Sequence, residues 1–170
     1  ACREEQPNMR SFVETLVYTG CTTGEALRLL PASVDYPGRA IRFNHLKGKE
    51  PMKMSRTVPV PMGYLDTMMA VHGIARRSLP GPFKDKPLWP WRSGYVNGLV
   101  KQLMFRSGIP AGSHLNTKAI RHAYVINAIN HGVPISKICE WMGHKDIRYT
   151  SHYYRAISID QNELVRRMWQ

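Results

Sequence analysis

The sequence predicts a single, mainly α-helical domain with a small antiparallel β-sheet. Most of its 170 residues fall in segments whose apolar side chains recur at helical spacing. Two short segments, 40–46 and 55–60, alternate as strands do and are joined by a turn rich in Lys, Gly and Pro. The chain is 43% hydrophobic, which is ordinary for a globular protein, and it is long enough to bury a core without disulfides.

The first half of the chain contains three predicted helices around the two strands. The first helix covers residues 7–18, which carry an apolar face at helical spacing. The second helix begins at Thr22 and Glu25, which have capping-box spacing, and continues to Pro31. After the strands, residues 61–78 predict a third helix whose methionine-rich face is directed into the core.

The second half begins with a loop over residues 79–90, which contain four prolines. Trp89 and Trp91 at its end predict a short buried strand or an anchor beneath the next helix, expected at 93–107. Two further helices are expected within residues 117–155, separated by a Gly-Val-Pro turn. A last amphipathic helix is predicted in the tail, so that residues 1–170 form one domain whose tail covers residues 159–170.

The charge balance indicates a polyanionic partner. The 24 Lys and Arg residues exceed the 12 Asp and Glu residues, which leaves a net charge of +12 and a pI near 10. Nucleic acid fits this charge first, and an acidic membrane surface second. No apolar run approaches the ~20 residues that span a bilayer, and no signal peptide is evident. Three scattered cysteines suit reduced thiols, and no metal-ligand spacing occurs, so neither a metal nor a cofactor is expected.

Residues 117–155 concentrate the residue types that phosphoryl transfer needs. Lys118 and Arg121 lie one helical turn apart, Gly143 and His144 follow, and Tyr153 comes ten residues after the glycine. Arginine offers a planar fork for two phosphate oxygens, and a tyrosine hydroxyl can act as the nucleophile. The order H/K-x-x-R-H, then L-G-H, then a tyrosine at this distance resembles the catalytic domain of the tyrosine recombinases, or phage integrases.

Two earlier segments extend the resemblance, and one of them departs from the family pattern. The family's T-G-x-R-x-x-E turn occurs here with Thr22 in place of the arginine, a catalytic phosphate ligand in the family; Arg28 lies too far along to replace it. A hairpin with Lys47, or less well Lys49, near its tip and a returning R-x-V-P strand resembles the family's β-hairpin. There the lysine enters the DNA minor groove near the cleaved bond. The matched motifs cover nearly the whole chain.

The resemblance implies metal-free chemistry through a covalent intermediate. It makes Tyr153 the nucleophile of a 3′-phosphotyrosyl bond, and Lys47 the general acid for the leaving 5′-oxygen. It makes Lys118, Arg121 and His144 the phosphate ligands, and Glu25 the acidic residue that orients them. The residues expected to contact DNA are Lys47, Lys49, Arg56, Lys118, Arg121, Lys145 and Arg148.

Other residues near the motif compete for these roles. Tyr149 and Tyr154 are rival nucleophiles, but only Tyr153 has the family's distance from Gly143. The cationic pair also suits the solvated face of an amphipathic helix, and the histidine after the glycine suits a helix cap. The joint occurrence of all the motifs in order favours the catalytic interpretation. The neighbouring histidines are interpreted as structural: His122 and His131.

We therefore expect site-specific cutting and rejoining of double-stranded DNA. The resemblance also implies a tetramer-like assembly on DNA in which the tail docks on a neighbouring protomer; packing of the tail on its own domain is the alternative. We expect the chain to lack the N-terminal DNA-binding domain of longer family members, either as a fragment or as a short member. A bacterial cytoplasmic location, at the nucleoid or a plasmid, is also expected. Two alternatives stay open: a DNA-binding relic impaired by Thr22, and a type IB topoisomerase.

Overall fold

A computed structural model describes residues 6–45, 54–77, 81–144 and 146–156, which form eight α-helices and three strands. The helices are α1 (Gln6–Thr19), α2 (Thr23–Ala26), α3 (Met62–His72), α4 (Ile74–Arg77), α5 (Ser93–Arg106), α6 (Thr117–Asn130), α7 (Ile135–Met142) and α8 (Ile147–Ala156). The strands are β1 (Val34–Asp35), β2 (Ala40–His45) and β3 (Met54–Pro59). The predicted class, mainly helical with a small antiparallel sheet, is confirmed.

The sheet is antiparallel throughout, in the order β1-β2-β3. The pairing of β2 with β3 runs from Ala40 opposite Pro59 to His45 opposite Met54, as the hairpin prediction requires. Alternation puts Ile41 and Phe43 of β2 in the core. Strand β1 was not predicted, because a segment of two residues carries no measurable periodicity.

The main hydrophobic core lies between α1, α3, α5 and the sheet. Phe12 and Leu16 of α1 are fully buried in it, beside Met68 of α3 and Val96 of α5. Trp89 packs edge-on against Phe12 at 5.2 Å between ring centroids and donates from its indole nitrogen to the Asn8 carbonyl. Residues 88–91 form no strand, so of the two predicted alternatives, a strand or a buried anchor, Trp89 is the anchor.

A smaller hydrophobic core lies between α6, α7 and α8. Val125 of α6 and Ile138 and Met142 of α7 are buried together, with Tyr153 of α8 packed against them. Helix α6 also packs against α1, so the two cores are adjacent. None of the helices in the described ranges is long and apolar enough to cross a membrane.

Two predicted helices are shorter than the sequence pattern indicated. Helix α2 ends at Ala26, and Leu30 is already extended (φ −106°, ψ 164°). Pro31 explains the extended backbone of Leu30, because a proline disfavours helical backbone at the residue before it. The helix expected over residues 61–78 is interrupted at Gly73, which adopts the left-handed conformation (φ 56°) that ends α3.

Candidate active site

The turn after α1 contributes the first residues of the candidate site. Gly20 has a positive φ of 60°, and a Cβ there would come within 2.5 Å of Cδ1 of Tyr124 on α6. Thr22 then caps α2: its hydroxyl accepts from the Glu25 amide, while the Glu25 carboxylate accepts from the Thr22 amide at 2.8 Å. The predicted capping box is therefore present. Thr22 turns its side chain to its own helix, with Oγ1 2.9 Å from Glu25 Oε2.

Glu25 lies between two arginines at unequal distances. Its Oε1 is 2.5 Å from NH1 of Arg56, and its Oε2 is 3.9 Å from NH1 of Arg121. Burial alone would raise the pKa of Glu25, but the hydrogen bond and charge of Arg56, together with the Thr22 donors, lower it to about 2. The carboxylate is therefore ionised at neutral pH.

Arg56 was predicted as a DNA contact, and the structure places it inside the protein. Its side chain is 5% exposed. Its Nε donates to the Trp141 carbonyl at 2.7 Å, and its guanidinium carbon lies 4.5 Å from the centre of the Phe43 ring. Arg56 thus reaches from β3 across Glu25 to the end of α7, and it faces the candidate catalytic groups instead of the surface.

Arg121 is held by backbone oxygens from two distant parts of the chain. It donates to the Gly20 carbonyl at 2.7 Å and to the Met142 carbonyl at 2.8 Å. The N-cap of α6, Asn116, accepts from the Ala119 amide at 2.9 Å, which fixes the first turn of the helix. Lys118, on that turn, is exposed.

His144 follows directly on the end of α7. Gly143 ends the helix in the left-handed conformation (φ 65°), which brings His144 Nε2 within 3.2 Å of Arg121 NH2. A guanidinium has only donors, so Nε2 must be the unprotonated acceptor and Nδ1–H donates to the Thr150 hydroxyl at 2.8 Å. Burial, followed by the charges of Arg121 and Arg56, lowers the pKa of His144, so the neutral ring predominates at pH 7.

Tyr153 lies on α8, which packs against α6. Its ring meets the ring of His122 edge-on, at 5.3 Å between centroids and 89° between planes. Partial burial raises the pKa of the Tyr153 hydroxyl, and the charge of Arg121 acts in the opposite direction. The rival Tyr149 is 66% exposed, with its ring 6.2 Å from that of His144.

The remaining predicted residues fall outside this cluster or outside the described part of the chain. Arg148 is exposed and paired with Asp146 at 2.6 Å. The predicted contacts Lys47, Lys49 and Lys145, and the tail helix at 162–169, lie outside the described residues. Within the described ranges, no group of His, Cys, Asp and Glu side chains could hold a metal ion.

Sequence reasoning missed two neighbours of the site. Thr150 is fully buried and accepts from His144, and His122, interpreted as structural, contacts the candidate nucleophile. Alternation along β3 could have revealed the inward direction of Arg56, because it places Arg56 on the same face as the buried Val58.

Comparison with known proteins shows which family the sequence fits. The sequence model described as the phage integrase family matches residues 1–158, nearly the whole chain. The chain belongs to the phage integrase family. The residues assigned to the family motif from the sequence, Thr22, Arg121, His144 and Tyr153, all lie within the matched range.

This phage integrase family chain is similar to several curated tyrosine recombinases. It is 27% identical to the tyrosine recombinase XerD of Brucella suis biovar 1 (strain 1330) over 164 residues, 92% of this chain and 51% of XerD. It is 21% identical to the tyrosine recombinase XerA of Saccharolobus solfataricus over 169 residues, 99% of this chain and 52% of XerA. The chain thus spans about half the length of the curated relatives it matches.

Solved structures of the phage integrase family share its fold. The integrase of the Tn1549 transposon, in complex with a circular intermediate DNA, superposes with a TM-score of 0.75 at 17% identity, covering 99% of this chain and 60% of the integrase. The catalytic domain of bacteriophage HP1 integrase gives a TM-score of 0.61 at 20% identity, covering 98% of this chain and 94% of that domain. These likenesses confirm the predicted fold.

Proposed function

We propose that the chain cuts and rejoins strands of double-stranded DNA at a specific site, as a tyrosine recombinase. The observation that carries the proposal is the placement of Arg121. Two backbone carbonyls fix its guanidinium beside His144, and its charge acts on Tyr153. A cation held this rigidly, next to a hydrogen-bonding ring, suits stabilisation of the charge that develops during attack on a phosphodiester.

The proposed reaction has two steps and needs no metal. The Tyr153 hydroxyl oxygen attacks phosphorus, an O–P bond forms, and the bond from phosphorus to the 5′-oxygen breaks. The phenol loses its proton to solvent, and the leaving 5′-oxygen takes one from the general acid, which we assign to Lys47. A 5′-hydroxyl from another strand then attacks phosphorus and gives its proton to the neutral Lys47 amine, while the bond from phosphorus to Tyr153 breaks and the released phenolate takes a proton from solvent. The bond energy is thus retained and no nucleotide is consumed.

Residues on α6 and directly after α7 would stabilise the negative charge of the transition state. Arg121 would bind two non-bridging oxygens, and Lys118 would reach the same phosphate from the preceding turn. In the free protein His144 accepts at Nε2, so it would have to turn away from Arg121, or become protonated, before that nitrogen donates to phosphate. DNA contacts at Lys49, Lys145 and Arg148 would supply affinity through phosphate neutralisation.

Assembly on DNA belongs to the same proposal. The structural relatives include a XerH site-specific recombinase bound to its difH substrate in a pre-cleavage complex. For this chain we propose self-association on DNA, with residues 159–170 docking on a neighbouring protomer. The net charge of +12 supports a DNA partner.

A second candidate function, a DNA-binding relic with little turnover, is favoured by Thr22. A threonine hydroxyl is short and neutral, and here it is engaged with Glu25. It cannot reach the phosphate or offset its charge as an arginine does. DNA would then be bound through the remaining cations without efficient cleavage.

The test is the trapping of covalent adducts. Supercoiled DNA from the host or mobile element is incubated with the full chain, and detergent is added to capture protein joined to DNA. We expect Tyr153→Phe to abolish the adduct and to leave DNA affinity nearly unchanged, because affinity comes from phosphate contacts spread over the basic surface. Tyr149→Phe is the matched control on the same helix. Adducts that persist in Tyr153→Phe and disappear in Tyr149→Phe would overturn the assignment of the nucleophile. Relaxation of plasmids that lack any defined site would favour a topoisomerase instead.

A further inference from the structure

One carboxylate in the site is positioned to neutralise either of two arginines. Glu25 contacts Arg56 at 2.5 Å and lies 3.9 Å from Arg121. The Glu25 side chain is 12% exposed and that of Arg56 is 5% exposed, so water cannot replace a lost partner. A buried charge that loses its partner binds the nearest charge of opposite sign or becomes neutral.

The second arginine is the one that a phosphate needs. Arg121 is oriented by neutral groups, the carbonyls of Gly20 and Met142, which direct the guanidinium and leave its charge uncancelled. Pairing with Glu25 at hydrogen-bond distance would cancel that charge and draw the guanidinium away from the two carbonyls. Arg121 then could not bind an anion as strongly.

In this chain, Thr22 strengthens the competition between Arg56 and Arg121 for the Glu25 carboxylate. The other oxygen of Glu25 accepts from the amide and hydroxyl of Thr22, both of them neutral donors. At the position where the family motif has an arginine, this chain has the neutral side chain of Thr22. The short, direct ion pair to Glu25 comes from Arg56 on β3.

Arg56 also contacts the end of α7. Its Nε donates to the Trp141 carbonyl at 2.7 Å, and Arg121 donates to the next carbonyl, that of Met142, at 2.8 Å. The last carbonyls of a helix lack partners within the helix and carry its negative dipole end, so the two guanidiniums together hold the segment that precedes His144. The Phe43 ring lies against the Arg56 guanidinium at 4.5 Å and fixes its plane.

We propose that Arg56 is a positioning residue of this site: it neutralises Glu25 and holds the end of α7, and thereby keeps Arg121 free to bind a phosphate. The inference rests on the proposed function for its catalytic meaning. Its physical content, the competition between Arg56 and Arg121 for Glu25, is independent of turnover. Arg56 itself does not touch the phosphate in this proposal.

The first experiment measures anion binding without DNA. Inorganic phosphate is titrated into the full chain, and the guanidinium signals of Arg121 and the ring signals of His144 are followed by NMR. We expect Arg56→Met to weaken phosphate binding roughly tenfold or more, because Glu25 then pairs with Arg121. The double variant Arg56→Met/Glu25→Gln lacks the competing charge, and its binding should return to within about threefold of the unsubstituted protein.

Two further variants separate this role from a purely structural one. Arg42→Met removes an exposed arginine that is paired with Asp35 at 2.5 Å on the neighbouring strand, and it should leave phosphate binding unchanged within about twofold. Arg56→Lys keeps the charge and serves if the methionine variant does not fold. It should bind phosphate within about threefold of the unsubstituted protein.

Thermal melts and adduct trapping on the same proteins complete the test. Unchanged phosphate binding in Arg56→Met overturns the proposal, as does an unsubstituted protein that binds no phosphate at Arg121. So does a double variant that regains its melting temperature without regaining phosphate binding, since Arg56 is then only structural. A tenfold loss in Arg56→Lys would also overturn it. If phosphate binding follows the expected order but no variant forms DNA adducts, the proposed function fails while the role of Arg56 stands.

Discussion

Arg121 donates a hydrogen bond to the backbone carbonyl of Gly20, a residue 101 positions earlier in the chain. The contact joins α6 to the turn that follows α1, and so connects the phosphate-binding candidate to the segment that carries Thr22 and Glu25. The close approach depends on glycine. Gly20 adopts a left-handed φ of 60°, and its missing Cβ leaves room for the Tyr124 ring.

We therefore predict that Gly20→Ala damages the site and the fold together. The new Cβ would lie 2.5 Å from Cδ1 of Tyr124 and 3.1 Å from the Met142 sulfur, in a backbone conformation that alanine disfavours. The expected loss of stability is about 1–3 kcal/mol, measured by denaturant unfolding. Gly73→Ala is the control: it has a similar φ of 56° but open space around its Cβ. An equal loss in both variants would show that backbone strain alone, and not the contact with Tyr124, sets the cost.

A second prediction concerns Thr22. Restoring the motif with Thr22→Arg should raise the rate of adduct formation by roughly 10²–10³, the usual effect of one pre-organised donor at an anion-stabilising site. Loss of the helix cap should cost about 1 kcal/mol of stability. The measurement is single-turnover cleavage of a nicked suicide substrate, with folding checked by thermal melts. Equal rates in two folded proteins would mean that another cation already serves the phosphate, or that the catalytic assignment has failed.

The pH dependence of stability should report the pairing of Glu25. Its pKa in the folded protein is about 2, below the ordinary value of 4.5, so the unfolded chain binds the proton more readily. The pairing therefore stabilises the fold fully above about pH 4.5, and this contribution, on the order of 3 kcal/mol, is lost as the pH falls toward 2. Glu25→Gln should unfold with a correspondingly weaker pH dependence across that window. Parallel stability curves for the two proteins would contradict the prediction.

DNA binding should be coupled to protonation of His144. Burial and the charges of Arg121 and Arg56 lower its pKa in the free protein, with Glu25 opposing them, and a bound phosphate would raise it. The affinity for a short duplex should therefore increase as the pH falls from about 8 to 5.5. His144→Gln should flatten the profile, whereas His131→Gln, at the exposed end of α6, should not. A profile that His144→Gln leaves unchanged would exclude this coupling.

A further prediction concerns the tail. Deletion of residues 159–170 should weaken assembly of several protomers on DNA more than it weakens binding of one protomer. The reason is the amphipathic pattern of the tail, which ends near Trp169 and would dock on a neighbour. Band-shift titration separates the two complexes. An equal loss of both, accompanied by a lower melting temperature, would show that the tail packs on its own domain.

The sequence was informative wherever side-chain spacing determines the structure. Helix periodicity predicted α1 and α5 within one residue at each end, and the capping box at Thr22 formed as its spacing indicated. The motif spacing likewise put Arg121 and His144 in contact. The end of α2 was misplaced: Pro31 accounts for the extended Leu30, but nothing in the apolar pattern indicates that the helix already ends at Ala26.

The environment of each site residue was much harder to predict. The groups that hold Arg121 are backbone carbonyls, and a carbonyl leaves no trace in the residue pattern. Arg56 was assigned to the DNA surface, whereas its side chain is 5% exposed in the structure. Its partners, Glu25 and the Trp141 carbonyl, lie on segments brought together only by the fold. Alternation along β3 was the one local signal of its inward direction.

The site is assembled from two separate hydrophobic cores. Phe43, beneath Arg56, belongs to the larger one, whereas Tyr153 packs on the smaller one formed by α6, α7 and α8. Local opening of the smaller core would separate the candidate nucleophile from the Glu25–Arg56 pair without unfolding the rest. Amide hydrogen exchange should then be faster in α7 and α8 than in α1. On gentle heating, the capacity to form adducts should be lost before the signal of global unfolding appears.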